Sequence, residues 1–138
     1  MSQTAVTYPS VRRMQLSGKE IKDILEDIAD NRFNPDPYMQ QGGDMVRIGG
    51  LHYTIDPNMP RGRRIQAMEL SGRKIDAKKK YVVGAWAGME EDTKGKPVWD
   101  VVAEYLRDIK TVKSVSLNVP KLKNVAGNKG VADYFKIG

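Results

Sequence analysis

The sequence predicts an α+β fold in which two amphipathic helices, 18–31 and 97–109, pack on a mixed β-sheet. Three observations lead there. Two stretches repeat apolar residues at i, i+3, i+4, i+7 and i+8, the helical spacing. Several shorter stretches alternate apolar and polar residues in the manner of strands, and clusters of Gly, Pro, Asn and Asp separate them. At 138 residues the chain fits one domain, 1–138, long enough to bury most of the surface exposed by the unfolded chain.

A first strand is expected around 11–16, where Val11, Met14 and Leu16 alternate imperfectly. Ser17-Gly18-Lys19-Glu20 then has the spacing of a capping box, in which the Ser hydroxyl and the Glu carboxylate each satisfy an orphan backbone N–H. The helix that follows carries Ile21, Ile24, Leu25, Ile28 and Ala29 on one stripe. Asp23, Glu26, Asp27 and Asp30 fall off that stripe and read as a solvated face rather than as paired catalytic carboxylates.

Residues 31–56 form the most informative stretch. Pro35, Pro37, Gly42, Gly43, Gly49 and Gly50 are crowded there between polar and aromatic side chains, and loops of this length are usually functional or disordered. Within it, M-V-R-I and L-H-Y-T-I-D alternate like strands around a bulge or turn at Gly49-Gly50. That reading places Val46 and Ile48 inward, with Met45 and Arg47 on the outward face.

Asp56-Pro57-Asn58 and Pro60-Arg61-Gly62 are turn sequences. R-I-Q-A-M-E-L, the turn Ser71-Gly72 and K-I-D then read as a hairpin, with Ile65, Ala67 and either Met68 or Leu70 inward. The run K-Y-V-V-G-A-W-A-G fits a strand buried on both faces. Pro97 suits the first turn of the second helix, whose stripe is Val98, Val101, Val102, Tyr105, Leu106 and Ile109. Beyond it, Val112–Val119 alternates, and residues 120–138 are expected to form a loosely ordered tail.

Composition excludes more function classes than it selects. The excess of 23 Lys+Arg over 17 Asp+Glu gives +6, a field that favours an anionic partner. The basic residues are nevertheless scattered in small groups such as Arg61, Arg63 and Arg64 or Lys78 to Lys80, without interleaved aromatics, so no nucleic-acid partner is expected. With no cysteine there is no disulfide framework or thiolate metal site. No apolar run approaches the roughly 18 residues of a membrane span, and the first residues lack the apolar core of a signal peptide, so no membrane partner is expected.

The chemistry available is sparse. His52 is the only histidine, reads as a surface or interstrand residue, and cannot by itself build a zinc site. No catalytic residue set is visible, and G-G-D-M-V-R-I-G-G lacks the order of a phosphate-binding loop or dinucleotide fingerprint. Arg47, with Gly42, Gly43 and Asp44 just ahead of it, is placed either to hold a sulfonate, sulfate or phosphate by charge-assisted hydrogen bonds or to be a solvated arginine. Trp86 reads as core or as a ligand-side aromatic.

Four segments carry a family resemblance: L-S-G-K-E-I-K-D-I-L-E-D-I-A-D-N-R-F-N-P-D-P-Y, Q-Q-G-G-D-M-V-R-I-G-G-L-H-Y-T-I-D, Y-V-V-G-A-W-A and P-V-W-D-V-V-A-E-Y-L. Together, from about Thr4 to beyond Val119, they resemble the C-terminal domain of the SoxB thiosulfohydrolases, relatives of the periplasmic 5′-nucleotidases. The resemblance implies a 5′-nucleotidase C-terminal-domain-like fold, truncated at its start and lacking the metallophosphoesterase domain that holds two manganese ions. It implies a periplasmic enzyme that cleaves a cysteine S-thiosulfonate on the arm of the carrier complex SoxYZ, using metal-activated water. This chain lacks the Asp-x-His, Gly-Asn-His and Gly-His metal motifs, so it is expected to be inactive alone, with no cofactor of its own.

In that reading Gly42, Gly43, Asp44, Met45, Arg47 and Trp86 line the substrate side of the cleft, Asp44 and Arg47 facing the sulfonate or the arm. Met45 stands where the nucleotidases carry a stacking Phe, which suits a slender peptide arm better than a nucleobase. The alternatives are a 5′-nucleotidase-like nucleotide-binding domain and a stand-alone interaction module.

Overall fold

The computed structural model describes residues 10–86, 95–113 and 118–128. In chain order the elements are β1 (Ser10–Ser17), α1 (Gly18–Phe33), a 3-10 turn (Pro37–Met39), β2 (Leu51–Ile55), β3 (Ile65–Leu70) and β4 (Arg73–Lys74); β5 (Lys80–Trp86), β6 (Lys96–Pro97), α2 (Val98–Ile109) and β7 (Lys121–Leu122) complete them. The α+β class and both helices are as expected, α1 running two residues past 31 and α2 starting one after 97. The chain divides into two compact units, one of residues 1–16 with 80–116, the other of 17–79 with 117–138.

In the first unit the described strands form a sheet of order β5-β1-β6, with β1 and β6 antiparallel. Two expectations fail here. β5 is an outer strand of this sheet rather than one buried on both faces, and Val82 is exposed. No residue of α2 is buried; Val102, Tyr105 and Leu106 on its apolar stripe are open to solvent among the described residues. Helical spacing records which face is apolar and leaves open whether anything covers it.

The second unit holds the core. A mixed sheet of order β4-β3-β2-β7 pairs β2 antiparallel to β3 and parallel to β7. α1 lays Leu25 and Ala29 against Leu51, Tyr53 and Ile55 of β2 and Ile65 and Met68 of β3. Burying each of the larger side chains contributes roughly 1.5–3 kcal/mol.

The start of α1 is set by its cap. Ser17 Oγ accepts from the Glu20 backbone N–H at 3.2 Å, and the Glu20 carboxylate accepts from the Ser17 N–H at 2.6 Å. Gly18 and Lys19 donate their N–H groups to the carbonyls of Lys79 and Ala77, so helix-start donors are satisfied by the chain entering β5. Gly18 is buried here, and a Cβ on it would collide with the Asp76 carbonyl and the Ile75 side chain.

The inward set of β3 differs from the expected alternation. Leu51 and His52 pair with Leu70 and Glu69, but Thr54 and Ile55 pair with Gln66 and Ile65, so one extra residue sits opposite Tyr53. Ala67 absorbs it in a left-handed conformation, φ 48°, and points to solvent while Met68 turns inward.

The segment expected to be loose from 120 on is held down over its described part. β7 runs beside β2, Lys123 donates its N–H to the Ile55 carbonyl at 2.9 Å, and Asn124 Nδ2 donates to Asp56 Oδ2 at 2.6 Å. Asn58 Nδ2 donates in turn to the Asn124 carbonyl at 2.5 Å. Asparagine side chains and backbone do this work, so no hydrophobic period announced it. Of the alternating stretch 112–119, Val112 and Val119 are exposed and residues 114–117 lie outside the described residues.

Candidate functional site

The loop between α1 and β2 is built from the helix end outward. Asn34 closes α1, donating its N–H to the Asp30 carbonyl at 3.0 Å and its Nδ2 to Asp30 Oδ2 at 2.9 Å. Its Oδ1 accepts from the Asp36 N–H at 3.0 Å, and its carbonyl accepts from Gln40 Nε2 at 2.7 Å. Asp36 then caps the 3-10 turn by accepting from the Tyr38 N–H at 3.0 Å, with Pro37 setting φ at its first position. Further on, Gly42 donates its N–H to the Asn31 carbonyl at 3.1 Å, and Arg32 reaches the Gly43 carbonyl at 3.1 Å and Asp44 Oδ1 at 3.4 Å.

Beneath this loop lies a polar cluster that pattern reading assigned to solvent. Glu26 is only 3% exposed. Its carboxylate accepts from the N–H groups of Gly62 at 2.8 Å, Arg64 at 3.3 Å and Ile65 at 2.7 Å. Arg64, also buried, donates to Asp30 Oδ1 at 2.6 Å and to the Phe33 carbonyl at 3.1 Å. Arg61 pairs with Asp27 at 2.5 Å. Glu26 and Asp30 are therefore ligands for the 61–65 turn, because burying them next to N–H donors and a guanidinium group satisfies both sides, whereas Asp23 and Asp27 are exposed as the solvated-face reading expects.

The six expected site residues separate into different situations. Gly42 and Gly43 are exposed with φ of 80° and 87°, conformations that favour glycine. Asp44 is 94% exposed and faces Arg32. Ile48 packs on the core as expected, but Met45 turns inward beside it while Val46 is exposed, so these two residues exchange the expected faces. The cause is that residues 40–48 are irregular rather than a strand, so contact follows an i, i+3 step instead of alternation. Arg47 is exposed and has no hydrogen-bond or ion-pair partner among the described residues. Trp86 ends β5 in the other unit, and its side chain lies outside the described residues.

Sequence reasoning passed over Tyr38 and Met39, which project from the 3-10 turn, and Asn118. Gly50 donates its N–H to Asn118 Oδ1 at 2.8 Å, which turns the amide nitrogen toward His52 Nε2 at 2.9 Å. His52 is thereby an exposed strand residue tying the end of the loop to the C-terminal segment. Among the described residues no group of three or more His, Cys, Asp or Glu is placed to hold a metal ion. No helix of the described residues is long and apolar enough to cross a membrane.

Comparison with known proteins gives this geometry a context. The model of the family described as 5′-nucleotidase, C-terminal domain, matches residues 6–103. Among solved structures, the sulfate thiohydrolase SoxB of Thermus thermophilus in complex with glycerol is similar, at 37% identity and a TM-score of 0.71 over 86% of this chain and 23% of that one. A putative 5′-nucleotidase from Staphylococcus aureus in complex with α-ketoglutarate shares the fold at 18% identity and a TM-score of 0.57, over 83% of this chain and 27% of that one. So does a 5′-nucleotidase precursor from Thermus thermophilus, at 18% identity and a TM-score of 0.54, over 84% of this chain and 25% of that one. The chain thus spans about a quarter of the length of each. No curated protein matches it.

Proposed function

The chain belongs to the 5′-nucleotidase C-terminal domain family, and we propose that it serves as the substrate-recognition domain of a SoxB-type sulfate thiohydrolase in thiosulfate oxidation. The observation that carries this is Arg47, an exposed arginine without a partner among the described residues, on the loop that the family resemblance assigns to the cleft. A guanidinium in that state is suited to a sulfonate, whose oxygens match its forked donors. The higher identity to SoxB than to either nucleotidase supports the same reading. Met45, seated on the core, offers no platform on which a nucleobase would stack.

The substrate in this proposal is a cysteine S-thiosulfonate on the arm of SoxYZ, encountered in the periplasm. The residues described here do not fit a dinuclear manganese site: the chain has one histidine and no cysteine, and among the described residues no acidic cluster replaces them. Both metals and the bond-breaking step are accordingly assigned to a separate metallophosphoesterase domain, and this chain is assigned binding only.

Calorimetric titration with a peptide ending in cysteine S-thiosulfonate tests the proposal. Saturable binding that is lost in Arg47→Ala is expected. Binding of AMP in place of the peptide would move the assignment to a nucleotidase domain.

A further inference from the structure

Every carboxylate of α1 is already committed. Glu20 accepts from the Ser17 N–H in the cap, Asp23 pairs with Lys19, Glu26 accepts three N–H groups, Asp27 pairs with Arg61, and Asp30 pairs with Arg64. Lys22, by contrast, is half-buried and has no partner among the described residues. One arginine of the turn facing it is in the same state. Arg61 and Arg64 are taken up by Asp27 and Asp30, whereas the Arg63 side chain has no hydrogen-bond or ion-pair partner among the described residues.

These two cations share a cavity. It is open to solvent, has a volume of about 340 Å3 and is lined by Lys22, Met59, Gly62, Arg63, Ile65 and Gln66. The turn beneath it is fixed by hydrogen bonds: Arg63 donates its N–H to the Pro60 carbonyl at 3.0 Å, Gly62 donates to Glu26 at 2.8 Å, and Gln66 Nε2 donates to the Arg63 carbonyl at 3.0 Å. That last bond uses one N–H of the Gln66 amide and leaves the second for a ligand oxygen. Met59 and Ile65 form an apolar stretch of wall, which keeps water from part of the site and strengthens charge interactions there. Two like charges at one cavity repel each other, and half-burial of the Lys22 ammonium adds a desolvation cost. An anion between them turns the repulsion into attraction and offsets the desolvation. Glu26 touches the same turn, but its charge is directed at the N–H donors of Gly62, Arg64 and Ile65.

We propose that this cavity, between the first half of α1 and the 60–66 turn, binds a small tetrahedral oxyanion, sulfate or phosphate. Arg63 gives its forked N–H groups to two oxygens, Lys22 supplies a compact charge to a third, and the Gln66 amide completes the set. The site shares no residue with the Gly42–Arg47 loop and does not rest on the substrate reading above.

Amide NMR spectra of the 138-residue chain test this, in titrations with sodium sulfate and separately with sodium phosphate, at an ionic strength held constant with sodium chloride so that screening does not change. Saturable movement of the Gly62 and Arg63 N–H signals and of the Gln66 side-chain amide is expected; saturation by both anions supports an oxyanion site in general, and saturation by one alone fixes which. Lys22→Gln and Arg63→Gln have no partner to lose among the described residues and are each expected to weaken binding about tenfold. Arg63→Lys keeps the charge without the fork and is expected to weaken it less than Arg63→Gln. No movement, movement that rises without saturating, or wild-type affinity in the double variant Lys22→Gln, Arg63→Gln overturns the site. Movement confined to the amides of Gly42–Arg47 overturns it as well, while leaving the anion reading of that loop standing.

Discussion

Asp30 and Arg64 meet at 2.6 Å with side chains only 14% and 2% exposed, joining the last turn of α1 to the start of β3. Burial pushes the Asp30 carboxyl upward, but hydrogen bonds from Arg64 and Asn34 and the charges of Arg64 and Arg61 outweigh it and hold the group below the usual Asp value of 3.8. With the folded value depressed, the unfolded chain takes up the proton first as pH falls. The contribution of Asp30 is therefore fully present above the unfolded value, about pH 4, and is lost as pH drops through the folded one. Urea denaturation between pH 6 and 2 is expected to show a shallower acid limb for Asp30→Asn than for wild type.

Removing the guanidinium is expected to cost more than removing the carboxylate's charge. Arg64→Ala takes the donors from Asp30 Oδ1 and the Phe33 carbonyl, leaving Asp30 to Asn34 and Arg61 at its other oxygen, and breaking a buried pair from one side costs about 3–5 kcal/mol. Arg64→Lys is expected to recover only part of this, since one ammonium cannot reproduce the two-pronged span from Asp30 to Phe33. The denaturation midpoints of the two variants, measured at neutral pH, check the order.

Glu26 shows how a buried carboxylate can replace secondary structure. It accepts from the N–H groups of Gly62 and Arg64 in the turn and of Ile65 at the first position of β3. Glu26→Ala strands those donors in a buried setting, and a loss of about 1–3 kcal/mol is expected. Glu26→Gln keeps one acceptor oxygen and is expected to lose less; hydrogen exchange at Gly62 and Ile65 reports the loss directly.

The contrast between what pattern reading recovered and what it missed follows from the physics each residue obeys. Capping boxes and apolar stripes are local, so α1 was legible to its first residue through Ser17 and Glu20. Glu26 and Asp30 were misread because their partners, Gly62 to Ile65, lie more than thirty residues away, and period alone treats an off-stripe acid as solvated. Arg47 was placed outward correctly, but for the wrong reason: a strand was assumed where the chain is irregular, so Met45 was sent outward with it. The Asn-Pro-Asp-Pro sequence did hold a signal for the 34–40 turn, since Asn and Asp side chains bond to nearby backbone N–H groups.

Ala67 offers a test of the bulge that shifted β3. A non-glycine residue at φ 48° is strained by about 1 kcal/mol relative to glycine. Its Cβ points to solvent, so Ala67→Gly removes strain without opening a cavity. A modest rise in melting temperature is expected, and Ala67→Val is expected to lower it. If the residue were instead inward, as simple alternation has it, glycine would destabilise.

Met45 and Arg47 are two residues apart and are expected to fail in opposite ways. Met45 packs on the core, so Met45→Ala should cost about 2–3 kcal/mol of stability, the lower end of the range for a buried methionine because the side chain is only partly covered. Arg47 is exposed and without a partner among the described residues, so Arg47→Ala should leave stability within about 0.5 kcal/mol. Binding inverts the order. Loss of a charge-assisted contact to a sulfonate corresponds to about 1.5–3 kcal/mol, roughly a ten- to hundredfold weaker Kd, for Arg47→Ala alone. A single set of purified variants, each measured by thermal melt and by titration with the thiosulfonate peptide, separates the two: the methionine holds the loop down, and the arginine acts on what the loop meets.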